Sequence, residues 1–465
     1  MNSLSRFRLC DRLTPPFTPI SSGHCISTFS EFVTFFLRVL CVLCGERFFF
    51  SMLIGLGCLN PAHAADAPIR IGVVTYLSGP GAGPMGIPGR NAAELTFDAL
   101  NAGTVPAPYQ SKGFGGTPIE MVLIDEAGST SNVVTQYRNL VQRQNAVMVI
   151  GYISSGSCMA VAPIAEELKI LTVIFNCGTP RLFEDASYKY VFRTASHATM
   201  DSVAAAKYVR ERLPNATRIA GINQNYSWGQ DSWKDFEASM KALAPGIEVT
   251  TSQMPKLFSS QYGSEISVLL AGNPDVIHSS FWGGDLEAFI LQAVPRNLFG
   301  RSTVVLTTGD AQLHNLGTRI PDGTVIGARG PHGVFAPDNE LNRWFRSAYE
   351  KRYGASPPFT AYHMVQAILG TKAAYEMAKS AANGKDPATD QIIAAFQGLS
   401  FETPSGSTRM ALGKGHQGIQ PMVYGMTKAV GGKLTMTNVT RYTAEQVNPP
   451  EGVKSEDWIK SGFAH

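Results

Sequence analysis

Residues 69–86 read IRIGVVTYLSGPGAGPMG: an apolar run, Ile69 to Leu77, followed by a loop in which Gly81, Gly83 and Gly86 spell G-x-G-x-x-G. An apolar strand running into a glycine loop and then an amphipathic helix, GRNAAELTFDALNAG (89–103), is the opening of a parallel α/β sheet. The glycine pattern also raises dinucleotide binding, which the neighbouring residues argue against. The acid that should reach the ribose lies about 20 residues past the glycines in such sites, whereas the next strand, PIEMVLIDE (118–126), brings Asp125 39 residues after Gly86. Pro84 removes one backbone N–H from the loop that would have to cradle phosphate. The loop is therefore a tight, backbone-exposed connection at a strand's carboxyl end, which is where open α/β sheets bind ligands.

The strand-loop-helix rhythm continues in both directions of the argument. NVVTQYRNLVQRQ (132–144), AVMVIGYI (146–153), SCMAVAPIAEELK (157–169) and ILTVIFNC (170–177) complete a first series. A second begins near residue 194: DSVAAAKYVRERL, RIAGINQ, GQDSWKDFEASMKAL, EVTTSQM, YGSEISVLLAG, PDVIHSSFW, DLEAFILQAV and RSTVVLTTG. Short apolar strands alternating with helices predict parallel sheets covered on both faces, and the restart predicts two α/β lobes. The tail predicts three helices over 339–399, then two strands, PMVYGMTKAVGGKLTMTNVTRY (421–442), turning at Gly431-Gly432.

Residues 1–65 are of another kind. They hold Cys10, Cys25, Cys41, Cys44 and Cys58, five of the seven cysteines, and an apolar run from Phe48 to Leu59 after Arg47. Ala62-His63-Ala64 supplies an A-x-A site, so this is the pattern of a secretory leader cleaved near Ala64. A membrane-spanning helix over 32–59 would carry Arg38, Glu46 and Arg47 into hydrocarbon. The net charge of the whole chain is only +3, which gives no electrostatic reason to expect nucleic acid or a membrane surface as a partner. No thiol-rich or His-rich metal spacing follows the leader, and no cofactor is implied. Cys158 and Cys177 lie just past two strands; they could pair or remain buried thiols, and the pattern leans to buried thiols. YISSGS lacks the G-x-S-x-G spacing of a nucleophile elbow, and the histidines stand in no catalytic motif, so an exported hydrolase is the weaker class.

In order and spacing, IRIGVVTYLSGPGAGPMG, GRNAAELTFDALNAG, PIEMVLIDEAGSTSNVVTQYRNLV, VIGYISSGSCMAVAPIAEELKILTV, YVFRT and TAYHMVQAILGTKAA together resemble the periplasmic solute-binding proteins of the branched-chain amino acid (leucine-binding) type, receptor subunits of ABC importers. The resemblance implies an α/β fold of two Rossmann-like parallel-sheet lobes joined by three crossings, near Arg193, Gly330 and Pro421. Lobe one would be 66–193 plus 331–420 and lobe two 194–330 plus 421–465. It further implies a monomeric, non-catalytic, periplasmic protein that closes on a small molecule and hands it to an inner-membrane permease. A ligand-sensing regulator could use the same clamp, but no DNA-binding or signalling segment flanks it.

The site residues follow from the same resemblance. Ser154, Ser155 and Ser157 stand where amino-acid binders hold the α-carboxylate, Ser155 above all; the alternative is N-capping. Asn176, Cys177 and Gly178 replace the small-x-Thr that such binders present, which weakens the expectation of an ordinary α-amino acid. Trp228 matches the aromatic that closes over the ligand, and Trp282 and Asp285 fall on the next loop. Asp310 matches the acid for a ligand ammonium, with helix capping as its other role. Met85 and Tyr152 complete the expected lining. The acids favour an amino acid or amide; the tryptophans and the missing Thr favour an aromatic acid of benzoate or hydroxycinnamate type.

Overall fold

The computed structural model describes residues 67–464, and the leader and its cleavage site lie outside them. The chain builds one sheet, leaves it, and returns. Strands β1 (Ile69–Thr75), β2 (Ile119–Asp125), β3 (Met148–Gly151), β4 (Leu171–Ile174) and β5 (Val191–Arg193) pair in parallel, in the order β5-β4-β3-β1-β2. Then β6 (Arg218–Ile222), β7 (Glu248–Gln253), β8 (Val276–Ser279), β9 (Thr303–Leu306) and β10 (Val325–Gly327) make a second parallel array, β10-β9-β8-β6-β7. The chain next goes back to the first sheet, adding β11 (Ser400–Thr403), β12 (Gly406–Leu412) and β13 (Gln417–Ile419) beside β5. It finally crosses to the second, where β14 (Met422–Val430) and β15 (Lys433–Tyr442) form the expected hairpin against β10. The chain thus passes between the sheets three times. The two-sheet α/β fold with three crossings is the one the resemblance implies.

Five strands escape the sequence reading. The three-residue β5, β10 and β13 are too short to show any period, and β11 and β12 form a small antiparallel hairpin just past the last expected helix, where no element was expected. Their alternation is real: Phe401, Thr403, Thr408 and Met410 point inward while their neighbours stay exposed or half-buried, the period-2 pattern of a sheet with one covered face.

Helices cover the sheets because their apolar faces have nowhere else to go. The helix Phe359–Ala381 is buried along most of its length and packs on Ile87–Ala102, sealing one face of the first sheet. The glycine loop now has a structural explanation: a Cβ on Gly86 would lie 1.8 Å from the carbonyl oxygen of Tyr76, so only glycine lets the loop fold back onto the end of β1. Asp125, at the end of β2, accepts the Leu77 N–H at 2.9 Å and the Ser78 hydroxyl at 2.6 Å. It pins the loop and is not available to a ribose.

Candidate functional site

The carboxyl ends of the parallel strands in both sheets face one another and close on a space of only about 10 Å3, which a ligand must enlarge by parting the loops. It is bordered by Met85, Ile153, Asn176 and Gly178 from loops of the first sheet, and by Tyr226, Trp228, Trp282, Thr308 and Arg329 from loops of the second. The two sets touch directly. The Gly284 N–H donates to the Pro80 carbonyl at 2.9 Å, and the Trp282 ring lies 5.7 Å from that of Tyr76 and 5.1 Å from Phe258.

Five expected residues border this space: Met85, Asn176, Gly178, Trp228 and Trp282. Trp228 opens the helix Ser227–Leu243, and its indole N–H donates to the Ser280 carbonyl at 2.9 Å. The indole N–H of Trp282 donates to the Tyr226 hydroxyl at 2.7 Å. Both rings are thereby fixed with their polar edges used, the Trp228 face against Arg329 and the Trp282 ring against Tyr76 and Phe258. Gly178 lets the Trp228 ring approach; a Cβ there would sit 2.3 Å from Cζ3.

The other expected residues stand behind the space with most of their polar groups committed, one oxygen of Asp285 being buried without a partner. Ser154 caps its helix through the Gly156 N–H at 3.2 Å. The Ser155 hydroxyl accepts the N–H groups of Gly178 and Thr179 at 3.3 and 3.2 Å, so it shapes the loop carrying Asn176. Ser157 serves the buried Glu126 carboxylate, and Tyr152 packs in the core with Cys158 and Cys177. Those two cysteines are joined by a disulfide, which corrects the lean towards buried thiols: the strand ends β3 and β4 bring their Cα atoms to 6.4 Å, within bridging range. Asp285 accepts from the Gln224 side chain at 2.8 Å and the Phe258 N–H at 2.7 Å. Asp310 accepts the N–H groups of Val334 and Phe359 at 3.1 and 2.8 Å. Neither acid borders the space.

Arg329 is the group that the residue-by-residue reading missed. Its guanidinium is buried, donates to the Asn176 carbonyl and side-chain oxygen at 2.6 and 2.5 Å and to the Ser196 carbonyl at 2.7 Å, and pairs with Asp201 at 3.1 Å. It lies 4.4 Å from the centre of the Trp228 ring, a cation–π contact in a desolvated setting. One side chain therefore links the first sheet's β4 loop, the first crossing and a helix of the second sheet. Its signal was a loop after an apolar triplet, VIGARGPHG, hidden because β10 is only three residues long. Asn176, with its oxygen engaged by Arg329, keeps a buried Nδ2 that has no partner.

Glu126 follows β2 directly and is fully buried beneath these loops, accepting the N–H groups of Ile153 and Ser154 at 2.7 and 2.8 Å. Burial pushes its carboxyl up to about 7, against the pull of those N–H groups and of Ser157.

Two α/β sheets offering a lined space between the carboxyl ends of their strands, with three chain crossings between them, define a two-lobed solute-binding clamp. The sequence profile described as periplasmic binding protein matches residues 68–432, and the chain belongs to that family. Among relatives, the Leu/Ile/Val-binding protein homolog 4 of Brucella melitensis is 24% identical over 383 residues, covering 79% of this chain and 86% of its own length. A solute-binding protein of an ABC transporter from Rhodopseudomonas palustris, solved with 3,4-dihydroxybenzoic acid, superposes with a TM-score of 0.69 at 20% identity, over 81% of this chain and 98% of that one. The leucine-, isoleucine-, valine-, threonine- and alanine-binding protein of Brucella ovis, in its closed conformation, gives 0.68 at 22% identity, over 83% and 97%.

Proposed function

We propose that this protein is the periplasmic substrate-binding component of an ABC importer, that it captures a small carboxylate between its lobes, and that an aromatic carboxylate fits best. The lobes are 66–193 plus 331–420 and 194–330 plus 421–465, moving about the three crossings as a monomer and delivering the ligand to an inner-membrane permease. The carrying observation is that the space has aromatic faces, the unpaired Asn176 Nδ2 and the Arg329 guanidinium on its walls, and no carboxylate. An α-amino acid brings an ammonium that would need an acid, and neither Asp285 nor Asp310 borders the space. A flat aromatic acid needs donors at one end and ring faces at the other, which is what these walls offer. Relatives with this fold include proteins solved with benzoate and with 4-hydroxybenzoate.

Ligand contact with both lobes favours the closed arrangement, so binding and closure are one equilibrium. A thermal-shift screen tests the reading with two panels, amino acids and amides against benzoates and hydroxycinnamates. A ligand at 100 times its Kd stabilises the native state by about 2.7 kcal/mol. The expected result is a shift with aromatic acids that Trp228→Ala weakens. A shift confined to amino acids overturns the aromatic assignment, and silence in both panels overturns the carboxylate assignment altogether.

A further inference from the structure

On another face of the molecule, at the first crossing, lies a second cavity of about 220 Å3. Its walls come from the segment between β4 and β5, from the turn after β12, and from residues 449–454, which follow β15 of the second sheet. Phe183, Leu412, Pro449 and Pro450 give it apolar sides. Arg193 and His197 lie at its buried end.

Arg193 is fully buried at the end of β5. Its Nη1 donates to the carbonyls of Cys177 and Thr179 at 3.2 and 2.7 Å, and its Nε to the Gln417 side chain. Its Nη2 has no partner, and neither has the Nδ1 of the buried His197 beside it. A buried guanidinium end without an acceptor costs desolvation that folding ordinarily avoids. The acids around the cavity are already engaged: Glu184 with the N–H and hydroxyl of Ser455, and Glu451 with the Lys414 N–H at 2.7 Å. Lys414 and Lys454 also line it, Lys454 paired with Asp185 at 3.0 Å, so the donor left for an anion is the unpartnered Arg193 Nη2. A cavity of about 150 Å3 accommodates benzene, so this one has room for an anion with a body of roughly six carbons.

We propose that this cavity is a second ligand site, for a small amphiphilic monocarboxylate whose carboxylate accepts from Arg193 Nη2 and whose apolar body lies against Phe183, Leu412 and the paired prolines. The site shares no lining residue with the space between the lobes.

The test is titration calorimetry of the protein with hexanoate, and with hexylamine as its cationic counterpart. Arg193 makes three other bonds, so its removal probes the fold as much as the site. Ala186 instead sits exposed on the cavity's rim, and Ala186→Trp plugs the entrance while leaving the core alone. The expected result is hexanoate binding to wild type, weakened by about tenfold or more, at least 1.4 kcal/mol, in Ala186→Trp. Trp228→Ala, which alters the other space, should bind hexanoate as wild type does, and hexylamine should give no heat of binding. Three results overturn the proposal: no hexanoate binding, binding unchanged by Ala186→Trp, or binding abolished by Trp228→Ala. The last would place hexanoate between the lobes, and only the first screen bears on which ligand belongs there.

Discussion

Adding one methyl group at Gly178 should hold the lobes apart. The new Cβ would lie 2.3 and 2.5 Å from Cζ3 and Cε3 of Trp228 and 2.6 Å from Arg329 Nη2. Carbon atoms in contact sit about 3.5–4.0 Å apart, so the indole and the β4 loop must separate by more than 1 Å. Neither neighbour can give way cheaply: Trp228 is tied to Ser280, and Arg329 is tied to Asn176, Ser196 and Asp201. Overpacking of this kind costs typically about 1–3 kcal/mol. That cost falls on the arrangement in which the two loops meet, so it is subtracted from the closure free energy that ligand binding supplies. At 1.4 kcal/mol per decade the loss of affinity is about 5- to 150-fold. The assay is calorimetric titration of wild type and Gly178→Ala with the strongest ligand of the screen, with small-angle scattering to follow compaction. Trp228→Ala removes two of the three clashes, so adding Gly178→Ala to it should cost less than adding it to wild type. Wild-type affinity and compaction in Gly178→Ala would refute the reasoning, because the loops would then not meet when ligand is bound.

Three further outcomes follow from the same network of contacts. The disulfide closes a ring whose ends are 19 residues apart, so Cys158→Ser should lower the unfolding free energy by about 3 kcal/mol; a reductant should lower the wild-type melting temperature and leave the variant's unchanged, and equal sensitivity would sink this account. Asp310→Ala strands two backbone N–H groups, one of them opening the helix Phe359–Ala381, and should cost roughly 1–3 kcal/mol in stability with the ligand preference intact; an undiminished melting temperature with lost binding would return Asp310 to the ligand. Glu126 has its folded pKa raised to about 7 from 4.5, so the native state retains a proton that the unfolded chain releases between those values, and this group's contribution to stability improves as pH falls from 8 to 5. Calorimetric melts should therefore show Glu126→Gln losing ground to wild type across that interval, while the buried histidines, common to both proteins, cancel in the difference; parallel curves would contradict the assignment.

The strands and helices long enough to express a period were legible in the sequence, as was the meeting of loops at strand carboxyl ends around a shared space. The polar partners were not. Ser155 and Asp310 are the residue types a site would use, in loops where a site belongs, yet their oxygens are taken by Gly178, Thr179, Val334 and Phe359. Those partners lie up to 49 residues away, and no local pattern encodes them. The reverse error hid Arg329. An arginine between Ala328 and Gly330 reads as an exposed turn residue, and only the packing of three distant segments makes it a buried cation. Tyr226 and Thr308 each lie two residues before a named residue, Trp228 and Asp310, but a loop does not announce which of its side chains turns inward.

The allocation of charge bears on what the clamp can accept. A ligand ammonium placed about 5 Å from Arg329, at an effective dielectric of about 20, would be repelled by roughly 3 kcal/mol before Asp201 offsets part of it. A carboxylate at the same distance would gain a similar amount, and each kilocalorie and a half is about tenfold in affinity. Had Asp285 or Asp310 faced the space, that balance would reverse. Instead Asp285 fixes the Phe258 segment whose ring packs against Trp282, and Asp310 fastens the start of the helix that covers the first sheet. The acids thus shape the aromatic wall and its support while the cation borders the space. If the proposed aromatic acid is the ligand, its preference over an amino acid would come from the acids standing away from the space while Arg329 borders it.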